Sequence, residues 1–126
     1  MNKREIGSNK REIGSRFEAE AAAYLEKKGM ILEKRNFRCR QGEIDLIARD
    51  GEYLVFVEVK YRSGKRWGRP AEAVTPAKIK KIRETAAYYI HREYGGQEFP
   101  CRFDVVEITG DAADGRIFIN HMENAF

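Results

Sequence analysis

Residues 42–60 read GEIDLIARDGEYLVFVEVK. Two apolar runs flank Asp50-Gly51, a dipeptide that predicts a tight hairpin turn. The first run, Glu43 to Arg49, carries Ile44, Leu46 and Ile47. The second, Tyr53 to Lys60, is the most β-prone stretch of the chain. Asp45 interrupts the first run, and Glu58 and Lys60 interrupt the end of the second. Charges inside buried strands are costly unless they are paired or hold a metal, so this stretch asks for a chemical explanation.

Strand alternation sharpens the question. Side chains two apart share a face, which groups Glu43 with Asp45 and Phe56 with Glu58 and Lys60. With Asp50-Gly51 as a two-residue turn, Arg49 pairs with Glu52, and Asp45 lies opposite Phe56 and diagonal to Glu58. Diagonal neighbours are about 7–8 Å apart, close enough for two carboxylates to clamp one cation. A four-residue turn puts Asp45 directly opposite Glu58. A three-residue loop throws the two onto opposite faces. A shared site therefore requires an even-length turn.

Working outward, 126 residues suffice for one domain with a core of its own, and 42% hydrophobic content fits a globular chain. No run approaches the roughly 18 apolar residues of a membrane span, and no signal peptide is visible in the charged N-terminus. A cytoplasmic location is expected. Cys39 and Cys101, with His91 and His121, lack zinc-ligand spacing and read as free thiols and scattered histidines. The net charge is +4, unevenly spread: residues 1–40 hold 11 basic and 6 acidic side chains, whereas residues 71–126 hold 7 and 9. A basic half points to a polyanionic partner.

Residues 2–8 and 9–15 both read NKREIGS. The repeat is too short for a solenoid; residues 1–8 are expected to be a disordered duplicated tail, and residues 9–126 a single domain. A helix is predicted over 15–28 from Phe17, Ala21, Tyr24 and Leu25, with Ser15 and Glu18 at capping-box spacing and Gly29 as its stop. A strand is predicted over 30–38, before the hairpin. The loop 61–71, YRSGKRWGRPA, carries Arg62, Lys65, Arg66 and Arg69 around Trp67, a pattern suited to phosphates and base stacking. Its alternative is a solvated loop. Thr75-Pro76 opens a second helix over about 76–93, with Ile79, Ile82, Ala86 and Ile90 as the buried stripe and Lys78 and Lys81 on another face. Strands over 101–109 and 116–119 close the chain, giving the order αβββαββ around a mixed sheet.

The carboxylates suggest a use. Asp45 and Glu58 offer hard oxygens suited to Mg²⁺ or Mn²⁺. Such an ion acidifies bound water and stabilises charge on a phosphate. Lys60 shares the face of Glu58 and can orient the water or stabilise the transition state. Glu18 can reach the same place from the first helix, or serve only as a cap. The other reading of Asp45, Glu58 and Lys60 is an edge-strand salt-bridge ladder.

An N-terminal helix carrying Glu18, then Asp45, then Glu58-Val59-Lys60 resembles the PD-(D/E)XK nuclease superfamily, with an order and spacing similar to archaeal Holliday-junction resolvases. More closely, NKREIGSRFEAEAAAYL, Asn36-Phe37-Arg38, GEIDLIA, VFVEVKYR and RFDVVEI look like the YraN-like family of small bacterial endonuclease-like proteins, over about residues 9–110. Ile44 stands where the superfamily has a proline before its aspartate. The resemblance implies a restriction-endonuclease-like fold, with Asp45, Glu58, Lys60 and Glu18 as the catalytic set. Of these, Asp45, Glu58 and Glu18 would hold Mg²⁺ or Mn²⁺. It implies hydrolysis of phosphodiester bonds in branched or structured DNA, in repair or recombination, and it allows a homodimer. Arg38, Arg40, Arg62, Lys65, Arg66, Trp67, Arg69, Lys78 and Lys81 would bind the DNA. The alternative is a non-catalytic nucleic-acid-binding or adaptor module on the same scaffold.

Overall fold

The computed structural model describes residues 16–63, 75–110 and 115–126. The first helix, α1, is described over 16–27. Three strands follow: β1 (Ile31–Cys39), β2 (Gly42–Asp50) and β3 (Tyr53–Ser63). Helix α2 (Pro76–Tyr94) leads to β4 (Cys101–Gly110) and β5 (Ile117–Met122). The strands lie in chain order in one five-stranded sheet, antiparallel throughout except for the parallel β3–β4 pair. A parallel pair needs a long crossover, and α2 supplies it. This is the mixed α/β, restriction-endonuclease-like order expected from the sequence. The duplicated heptads and the predicted cap at Ser15 lie outside the described residues.

One helix covers each face. Phe17, Ala21, Ala22 and Leu25 of α1 pack with Leu46, Ala48, Val55, Val57, Val106 and Ile108. On the other face Ile82, Ala86 and Tyr89 of α2 pack with Phe37, Ile44, Ile47, Leu54 and Phe56. Helix α2 starts on Thr75, whose hydroxyl accepts from the Lys78 amide at 3.2 Å, and stops on Gly95 in the left-handed conformation. Its buried stripe is Ile82, Thr85, Ala86 and Tyr89, rotated from the predicted one. Two polar bonds permit the rotation. Thr85 donates to the Lys81 carbonyl at 2.7 Å, and Tyr89 donates to Glu33 at 2.8 Å. Glu33 also accepts from Tyr94 and from Arg49, so β1, β2 and the end of α2 are tied by one carboxylate.

The hairpin register corrects the sequence expectation. Asp50 pairs with Tyr53, Arg49 with Leu54 and Ile47 with Phe56. The two turn residues are thus Gly51 and Glu52, one step later than Asp50-Gly51. Gly51 has φ +60 and Glu52 has no positive φ, the pattern of a type II′ turn with glycine first. Asp50 stays in the strand, where Arg102 of β4 holds its carboxylate at 2.9 Å. The turn has even length, as a shared site requires, and the register equals that of the four-residue alternative.

Candidate active site

Asp45 stands where β2 parts from β3. Pairing of these strands ends at Leu46–Val57, although β3 runs on beside β4 as far as Ser63. Continuing the register by one residue sets Asp45 across from Glu58, not Phe56. In place of a backbone carbonyl, the Asp45 carboxylate accepts from the Val59 amide at 2.8 Å. Burial and then the Glu58 charge push the Asp45 carboxyl up to about 7; the Val59 bond opposes them, and Glu18 and Glu43 add smaller pushes. The Asp45 carboxyl is thus acted on by two of the other three predicted catalytic side chains, Glu58 and Glu18.

Glu58 and Lys60 follow Leu54 and Phe56 in alternation, which places them on the α2 side of the sheet. There the structure adds a residue that the sequence suggested only for nucleic-acid contact. The Lys78 Nζ lies 3.1 Å from Glu58 Oε1, with Lys60 Nζ at 3.9 Å from the same oxygen. Lys78 enters because the Thr75 cap sets the first turn of α2 against this end of the sheet. Burial, and then the hydrogen bond and charge of Lys78, lower the Lys60 ammonium from its usual range. Lys78 is raised by its hydrogen bond with Lys60 and, against burial, by the Glu58 carboxylate. The two amines therefore shift in opposite directions beside the Glu58 carboxylate.

The predicted nucleic-acid contacts divide. Lys65, Arg66, Trp67 and Arg69 lie outside the described residues. Arg62 is largely buried and held by Glu107 at 3.0 Å. Arg38 is exposed and paired with Glu43 at 3.0 Å. Arg40 and Lys81 are exposed, Lys81 one turn after Lys78. Tyr88 is exposed, whereas Tyr89 and Tyr94 are occupied by Glu33. Cys39 and Cys101 are free.

Sequence reasoning passed over a second charged cluster. Asp104 is fully buried, and its carboxylate accepts from Arg102 at 2.9 and 3.0 Å and from the Asn124 amide at 3.0 Å; His121 lies 2.7 Å away. Burial alone would raise this carboxyl, but Arg102, Asn124 and His121 outweigh it and hold it below the usual range. Asp104, His121 and Glu123 are the one trio of potential ligand groups within 4.8 Å of one another among the described residues. Arg102 already supplies the positive charge there, so the cluster locks β4, β5 and the C-terminus. The RFDVVEI stretch held the signal, an aspartate between apolar residues.

Comparison with known proteins agrees with the motif resemblance. The model of a family described as "Uncharacterised protein family UPF0102" matches residues 17–108, and this is the YraN-like family. A UPF0102 protein of Symbiobacterium thermophilum is 50% identical over 109 residues, covering 86% of this chain and 91% of its own. One from Caldicellulosiruptor saccharolyticus is 41% identical over the full length of both chains. One from Lachnoclostridium phytofermentans is 52% identical over 89 residues, 71% of this chain and 75% of its own. No helix among the described residues is long and apolar enough to cross a membrane.

Proposed function

For a chain that belongs to the UPF0102 family, we propose a metal-dependent endonuclease that hydrolyses phosphodiester bonds of branched or otherwise structured DNA. The observation that carries the reading is the split between β2 and β3. It sets Asp45 across from Glu58 with two lysines on the Glu58 side. A carboxylate aimed into a gap between strands, beside a second one, is expensive for a fold that makes no use of it.

The donor chemistry, carboxylate oxygens, suits a hard divalent cation. Asp45 and Glu58 are oxygen ligands, Glu18 is near enough for its charge to act on Asp45, and burial, followed by the Glu58 charge, raises the Asp45 carboxyl to about 7. Mg²⁺ or Mn²⁺ bound by these three would supply an acidified water and charge neutralisation at the phosphate. The chain's own part falls to the lysines. Lys78, beside Glu58 at 3.1 Å, presents positive charge to the phosphate oxygens. Lys60, whose ammonium burial and Lys78 lower from its usual range, lies beside Glu58 and orients the attacking water or stabilises the developing charge. Exposed Arg40 and Lys81 steer the backbone electrostatically.

A second reading, a DNA-binding or adaptor module without turnover, is favoured by one observation. Lys78 already neutralises Glu58 at 3.1 Å, much as a cation would. A panel of linear, single-stranded, flap and four-way-junction DNA separates the two. Wild type should cut at least one form only with Mg²⁺ or Mn²⁺, and Glu58→Ala should bind the same DNA without cutting it. No cleavage of any form, with binding equal in wild type and Glu58→Ala, would leave the adaptor reading.

A further inference from the structure

Beside the split and the register shift between Leu32 and Lys34 of β1, the sheet contains a third irregularity. In β2, Leu46 and Ala48 face α1 while Ile47 faces α2, as alternation requires. By the same rule Ile44 should face α1, yet it packs on the α2 side with Phe37. The alternation therefore slips between Ile44 and Leu46, at Asp45. Across the ladder, Phe37 pairs with Ile44 and Arg35 with Leu46, which leaves Asn36 as the residue facing Asp45. Asn36 is exposed and has φ +53, the one non-glycine residue of the described strands with a positive φ. A left-handed step inside a strand reverses which side the following residues present, and asparagine adopts it more readily than other side chains.

The consequence runs to the end of the hairpin. Beyond the step, Phe37 lies edge-on to Tyr89, and Gly42 approaches Thr85 so closely that a Cβ would stand 3.0 Å from its hydroxyl. The β1–β2 end thus packs on α2, while pairing of β2 with β3 stops at Leu46–Val57, just where Asp45 reaches the Val59 amide. An exposed strand residue held in a sparsely populated conformation points to a role in shaping a site.

We propose that Asn36 is a positioning residue. Its left-handed step turns the end of β2, aims the Asp45 carboxylate at the Val59 amide, and holds open the gap beside Glu58. The consequence for metal binding rests on the nuclease reading; the placement of Asp45 does not. Amide hydrogen exchange followed by NMR tests it without metal, comparing Val59 with Val55 and Val57 of the same strand. In Asn36→Val, where the branched Cβ resists the left-handed region, the Val59 amide should exchange about tenfold faster relative to Val55 and Val57. Asn36→Gly, which adopts it freely, should stay within about twofold of wild type. Asn36→Ala gives the same test if the valine variant does not fold. Mn²⁺ titration should follow the same order, wild type and glycine binding more tightly than alanine and valine. A Val59 ratio unchanged in both valine and alanine variants, or raised equally by glycine, would overturn the role of Asn36. A wild type that binds no Mn²⁺, with the Val59 response intact, would overturn the metal reading and leave the positioning role standing.

Discussion

Replacing Asp45 with asparagine should stabilise the metal-free protein, a direction opposite to that of most substitutions at half-buried polar positions. The Asp45 carboxyl is raised from its ordinary 3.8 to about 7, by burial first and the Glu58 charge second. The folded state therefore binds a proton more tightly than the unfolded chain. Stability from this group is fully present below about pH 4 and is lost as pH rises through about 7. At about 1.36 kcal/mol per pH unit the ceiling is about 4 kcal/mol. Water reaching the split lowers that, and about 2 kcal/mol is expected at pH 8. Asparagine keeps an oxygen for the Val59 amide and removes the charge. Urea unfolding of wild type and Asp45→Asn at pH 4, 6 and 8, without divalent ions, measures the difference. The gain should be near zero at pH 4 and largest at pH 8, and added Mg²⁺ should stabilise wild type alone. An asparagine variant that is no more stable at pH 8, or whose gain does not change with pH, would refute the reasoning.

Arg102→Ala should destabilise by about 3–5 kcal/mol, because it strips the partner from the buried Asp104 carboxylate; calorimetric unfolding checks this. Because Asp104 is held below its usual range, wild type should also lose stability as pH falls through that range, and the variant should lose less. Lys78→Gln removes the cation 3.1 Å from Glu58 and should tighten Mn²⁺ binding about tenfold in calorimetric titration. Weaker or unchanged binding would show that Lys78 does not compete for that carboxylate.

Much of this fold was legible from local pattern. The alternating runs around Asp50-Gly51, the Thr75-Pro76 start and the Gly95 stop are short-range signals, and the strands and helices lie where they predict. Asp45, Glu58 and Lys60 stood out because charge inside an apolar run is visible in one dimension. Lys78 did not, since its place depends on how a helix docks on a sheet. The same holds for Asp104, whose partners lie on β5 and the C-terminal residues that follow it.

The residues 42–60 by themselves determined a hairpin and the acidic pair, because period-two alternation and turn chemistry are local; an even turn was only the condition for a shared site. Only the tertiary structure decided the register, since the glycine takes the first turn position while Arg102 keeps Asp50 in its strand. Only it decided that alternation breaks at Asp45, since that break comes from a backbone step on the neighbouring strand at Asn36. Alternation assumes a regular ladder, and the candidate site lies where the ladder stops being regular.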